Sequence, residues 1–97
     1  LESSVRYLAN DLGPQKITVN AISPGPMKTL AGAVIGGART VYRTTESNAP
    51  LNENPSLNSV GGTALYLISD YGKHTTGEVI FVDGGYHIMG LPRMENL

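Results

Sequence analysis

Four consecutive apolar residues, Val79-Ile80-Phe81-Val82, stand between Gly77-Glu78 and Asp83-Gly84-Gly85. A run this short cannot cross a bilayer, and it lacks the alternation of a half-solvated strand. It reads as a strand over residues 78–83 with both faces covered, the pattern of a parallel sheet. A parallel strand needs a neighbour reached by a long crossover. The chain offers one at residues 16–22, rich in β-branched Ile17, Thr18, Val19 and Ile22 and broken sharply by Ser23-Pro24-Gly25-Pro26.

Helical patterns flank these strands. Leu1, Val5, Leu8, Ala9 and Leu12 recur at helical spacing and predict a helix over residues 1–12, stopped by a left-handed Gly13 and by Pro14. Its stripe starts at the first residue with no cap before it, which reads as a piece of a longer chain. Ser56 caps a second helix with the stripe Leu57, Val60, Ala64, Leu67 and Ile68, ending near Asp70. Between them, residues 27–55 are irregular. Thr29 could cap a short helix to about Ile35, Gly36-Gly37 interrupts, and residues 38–43 could add a turn or two. Residues 44–54 read as loop. A long irregular segment inside a compact domain is often a binding loop or lid. The order of elements predicts an α/β fold with a doubly wound parallel sheet. Two strands cannot make such a sheet alone, so the fold is expected to be incomplete without upstream strands.

Composition narrows the functional classes. With 40% hydrophobic and 15% charged residues the chain is globular. Seven basic and eight acidic residues are scattered, with no basic block to suggest nucleic acid. The absence of cysteine excludes a disulfide framework, a thiolate zinc site and a cysteine nucleophile within these residues, and weakly favours a reducing compartment. No signal-peptide pattern opens the chain.

Two motifs carry a resemblance. Val19-Asn20-Ala21-Ile22-Ser23-Pro24-Gly25 resembles the segment after the sixth strand of short-chain dehydrogenases, V-N-x-[IV]-x-P-G. Gly77-Glu78-Val79-Ile80-Phe81-Val82-Asp83-Gly84-Gly85 resembles their closing strand. The flanks Ser4-Val5-Arg6-Tyr7-Leu8-Ala9, Gly25-Pro26-Met27-Lys28-Thr29-Leu30-Ala31 and Gly85-Tyr86-His87-Ile88-Met89-Gly90 look like the bacterial NADH-dependent enoyl-acyl-carrier-protein reductases within that superfamily. The resemblance covers roughly residues 1 to 90. It implies that residues 1–97 are the C-terminal portion of a single Rossmann-like dinucleotide-binding reductase domain, with a substrate-binding loop at about 28–55. It also implies reduction of the trans-2,3 double bond of enoyl thioesters in fatty-acid elongation, with NADH favoured over NADPH. The partner implied is acyl carrier protein, and the assembly a cytoplasmic homotetramer, with no nucleic acid and no membrane.

Site residues follow from the same resemblance. Ligands of open α/β sheets bind beyond the carboxyl ends of the strands, where Pro24, Gly25, Met27, Lys28, Thr29, Leu30 and Ala31 are expected to meet the cofactor. Backbone groups of Met27 would bond the nicotinamide carboxamide, Thr29 would reach the phosphates, and glycine at 25 would let backbone approach the ring. Ala31, Ile35 and Arg39 are expected on the acyl side. Thr29 could equally be only a cap, and Arg39 and Arg43 only a solvated face. No catalytic residue is expected in this chain: the family's tyrosine and lysine lie upstream, and Tyr7, Tyr42, Tyr66, Tyr71 and Tyr86 read as structural. His74 and His87 lie in predicted loops without a spaced carboxylate partner, so no metal site is expected. Asp83 reads as a strand-end hydrogen-bonding group. Two alternatives stay open: another short-chain dehydrogenase, such as a 3-oxoacyl reductase or alcohol dehydrogenase, and a dinucleotide-binding regulator without catalysis.

Overall fold

The computed structural model of the chain describes residues 1–27 and 37–96. In order, the main elements are α1 (Glu2–Leu12), β1 (Ala21–Pro24), α2 (Ala38–Asn48), α3 (Leu57–Ile68) and β2 (Val79–Val82). Short 3-10 turns occupy Gly13–Gln15, Asp70–Gly72, Tyr86–Ile88 and Met94–Asn96. The strands lie side by side and parallel, with Ala21 opposite Val79 and Pro24 opposite Val82. This is the parallel pair joined by helices that the sequence predicts.

Side chains alternate across a strand, so Asn20 and Ile22 share one face of the sheet with Ile80 and Val82. α3 lies over that face, and Thr18, Asn20 and Ile22 line a groove with its Ala64, Leu67 and Ile68. Ser56 starts α3 as expected. Its hydroxyl accepts from the Ser59 N–H, and the Ser59 hydroxyl accepts from the Ser56 N–H, each at 3.0 Å. This is a capping box closed by a second serine in place of the usual Glu or Gln. On α1, Val5 and Ala9 are buried, and a Cβ at Gly77 would stand 3.6 Å from that of Ala9. The helix therefore lies against the entry to β2.

The core is small. Val5, Ala9 and Ala49 are the buried hydrophobic residues among those described. Phe81 of β2 is 40% exposed, so the expected burial of this strand on both faces is not met within the described residues. Leu57 and Ile68, assigned to the apolar stripe of α3, are exposed as well, at its two ends.

Several boundaries differ from expectation. Gly13 is right-handed (φ −55°), and the left-handed residue is Lys16 (φ 65°), because a 3-10 turn over Gly13–Gln15 intervenes. Ladder pairing begins at Ala21 rather than residue 16 and includes Pro24. Before it, the Val19 N–H donates to the Thr76 hydroxyl and the Gly77 N–H to the Val19 carbonyl. The Asn20 amide donates to the Thr75 carbonyl and accepts from the Glu78 N–H. Residues 19 and 20 are thus joined to the second segment partly by side chains. Pro24 is tolerated because it ends the strand and no donor is asked of it. Residues 44–48, expected as loop, are helical, since α2 runs to Asn48. The short helix expected over residues 29–35 lies outside the described residues.

Candidate functional site

The carboxyl ends of the two strands come together at Pro24 and Val82, and the turn beyond β1 begins there. The Gly25 N–H donates to the Val82 carbonyl at 3.0 Å, which ties that turn to the end of β2. A Cβ at Gly25 would come within 3.0 Å of Pro55 Cδ and 3.2 Å of Asp83 Cα and Cβ. The space left by this glycine is therefore filled by the protein itself. Glycine is needed for the turn to lie flat between Pro55 and Asp83. Met27 is half-buried, and neither its N–H nor its carbonyl makes a hydrogen bond among the described residues.

Opposite the turn stands the bend after β2. Gly84 and Gly85 both have positive φ, 69° and 92°. Neither position has room for a side chain, because the Glu53 carbonyl crowds Gly84 and the Pro50 ring crowds Gly85. The Leu51 N–H donates to the Gly84 carbonyl at 3.0 Å. Residues 49–55 thus form a bracket that closes over both glycines and reaches Gly25 through Pro55.

Asp83, which begins this bend, is buried at 8% exposure. Its carboxylate accepts from the Gly85 N–H at 2.9 Å, the His87 N–H at 3.0 Å and His87 Nδ1 at 3.0 Å. Burial works against the charged form. The His87 side chain and these two N–H donors outweigh it, helped by attraction to the ring, and hold the carboxyl below its ordinary value. The strand-end role expected for Asp83 is the one it plays. His87, however, does have a carboxylate partner, contrary to expectation. Its ring is also stacked on Phe81, with centroids 4.0 Å apart. Asp83 and His87 are four residues apart, and the positive-φ bend at Gly84-Gly85, leading into the 3-10 turn that carries His87, brings the pair together. That spacing was the available signal.

Of the residues expected at the site, Pro24, Gly25 and Met27 stand at the strand ends as described. Lys28, Thr29, Leu30, Ala31 and Ile35 lie outside the described residues. Arg39 is exposed in the first turn of α2. Tyr66 donates to or accepts from the Thr75 hydroxyl at 2.7 Å, a structural role. No group of three or more potential metal ligands occurs among the described residues.

Known proteins share this arrangement. The family model described as enoyl-(acyl carrier protein) reductase matches residues 1–87. The NADH-type enoyl-acyl-carrier-protein reductase 2 of Rhizobium meliloti is 50% identical over 97 residues, covering 100% of this chain and 36% of its own length. The NADH-type reductase of Rickettsia conorii is 49% identical over 94 residues, covering 97% of this chain and 36% of its own. Among solved structures, the Anaplasma phagocytophilum reductase in complex with NAD superposes with a TM-score of 0.89 at 51% identity, over 97% of this chain and 36% of that one. The Bacillus cereus reductase with NADP+ and an indole naphthyridinone gives 0.86 at 50% identity, over 94% and 35%. The chain thus spans about 36% of the length of the curated relatives it matches.

Proposed function

The chain belongs to the enoyl-(acyl carrier protein) reductase family, and on that premise we propose that the protein carrying it reduces the trans-2,3 double bond of enoyl-acyl-carrier-protein thioesters in fatty-acid elongation. The observation that carries this reading is the paired strand end. A rigid Pro24-Gly25-Pro26 turn is tied to Val82 and walled by Asp83 and Pro55, at the position where open α/β sheets bind ligands. In this reading residues 1–97 are the C-terminal portion of one dinucleotide-binding domain, and residues 28–55 include its substrate loop.

The cofactor of the proposal is NADH, the dinucleotide for which the relatives are named. The donor set fits it. Met27 offers one N–H and one carbonyl, uncommitted among the described residues, which match the acceptor and donor of a nicotinamide carboxamide. Pro24 and Pro26 fix φ on either side of Gly25 and keep these groups in place. Thr29 would reach the phosphates, Lys28 and Leu30 would meet the cofactor beside it, and Ala31 would leave room by the ring. Ala31, Ile35 and Arg39 would face the acyl chain and its acidic carrier. The bound dinucleotide supplies the hydride. In this reading the tyrosine and lysine that complete the reaction lie upstream of residues 1–97.

A cytoplasmic homotetramer belongs to the same reading. Leu57, Leu65 and Ile68 leave α3 with an exposed apolar surface suited to a partner, and no helix among the described residues is long and apolar enough to cross a membrane.

The test is substrate choice by the full protein. NADH oxidation with crotonyl and longer 2-enoyl thioesters is expected, with little turnover of the matching 3-oxoacyl thioesters. Efficient 3-oxoacyl reduction without enoyl reduction would overturn the proposal.

A further inference from the structure

Arg93 is remote in sequence from the Gly25 turn, yet it braces the bracket that walls it. Its guanidinium donates through Nη2 to the carbonyls of Ala49 at 3.3 Å and Pro50 at 3.4 Å. These carbonyls lie where the chain leaves α2, and a cation there also suits the helix dipole. The Arg93 N–H donates to Asn48 Oδ1 at 2.8 Å, and the Asn96 amide donates to the same oxygen and to the Ser47 carbonyl, each at 3.0 Å. This junction is the best-buried place among the described residues: Ala49 is 0%, Asn48 4% and Thr45 5% exposed. Interiors this closely packed pass a displacement on instead of absorbing it.

The other side of the bracket bears on the candidate site. Pro50 lies against Gly85, Leu51 is bonded to Gly84, and Pro55 lies against Gly25. The bracket is therefore held between Arg93 behind and the turn in front. We propose that Arg93 is a positioning residue for the nicotinamide end of the dinucleotide, acting through residues 49–55 on the Pro24-Gly25-Pro26 turn. The inference rests on the cofactor reading above and adds a residue to which neither the sequence motifs nor the strand-end geometry assigns a role. Its logic is that of fine placement, in which small displacements far from the reacting atoms are felt at them.

The experiment compares NADH with ADP-ribose, which keeps the adenosine and phosphates and lacks the nicotinamide. Both are titrated calorimetrically into the full protein and into its Arg93→Met, Arg93→Lys and Asn96→Ala variants. Arg93→Met should weaken NADH binding by about tenfold, the usual scale for lost hydrogen bonds from a charged donor, and leave ADP-ribose binding unchanged. Arg93→Lys should restore most of the loss, because an ammonium can meet both carbonyls. Asn96→Ala should weaken NADH selectively but less, and it decides the matter if Arg93→Met does not fold. Unchanged NADH affinity in Arg93→Met, or an equal loss of both ligands across the variants, would overturn the positioning role. A wild-type protein that binds neither ligand would instead remove the cofactor reading beneath it.

Discussion

At the scale of single residues, Asp83 carries the most testable electrostatics. Its folded carboxyl is held below the ordinary aspartate value by His87 and by two backbone donors. A depressed carboxyl stabilises the fold at neutral pH, and that contribution disappears as pH falls below about 4 and through the folded value. Asp83→Asn can no longer accept from all three donors, so it should cost about 1–3 kcal/mol near pH 7. The gap between wild type and variant should close as the medium is acidified. Urea unfolding across a pH series measures this, and a gap that widened in acid would contradict the assignment. The bend after β2 gives a second residue-scale test. A Cβ at Gly84 would meet the Glu53 carbonyl and would sit at positive φ. Gly84→Ala should therefore lose about 1–3 kcal/mol through overpacking alone, read as a lowered unfolding midpoint. The Asp83–His87 pair itself escaped the sequence reading because the intervening residues, rich in glycine, looked like plain turn.

At the scale of elements, legibility followed how far each element is determined locally. α3 could be read because Ser56 caps it and its apolar spacing is clear, and β2 because four apolar residues admit little else. The end of α2 could not. Thr44, Thr45, Ser47 and Asn48 are weak helix formers, and their helix is held by Arg93 and Asn96, more than forty positions away. The start of β1 was overextended for a similar reason, since side chains of Asn20 and Thr76 replace ladder bonds there. At the strand ends, Pro24 and Gly25 were legible as a turn, but the neighbours that make glycine necessary, Pro55 and Asp83, were not. α3 also contains Gly61 and Gly62, and a Cβ at either would meet nothing within 4 Å among the described residues. Helical glycine costs about 0.5–1 kcal/mol relative to alanine. Gly62→Ala should thus raise stability by that amount in chemical denaturation, whereas a decrease would mean that a partner packs closely on this face.

For the molecule as a whole, the shortage of core is the governing fact. Among the described residues, three buried hydrophobic side chains and a two-stranded parallel sheet cannot offset the entropy of ordering this many residues. Residues 1–97 produced alone should show no cooperative melt and no NADH binding, and calorimetry showing both would reject that expectation. The register of the strands has a further consequence, in time. Gly25 is made before its walls, since Pro55 and Asp83 come later along the chain. At a synthesis rate of roughly 5–20 residues per second, about 3–12 s separate the emergence of residue 25 from that of residue 83. Throughout that interval β1 has no partner for the edge that β2 will cover. The nascent protein therefore carries one unpaired strand edge during this interval, a template for pairing with another chain.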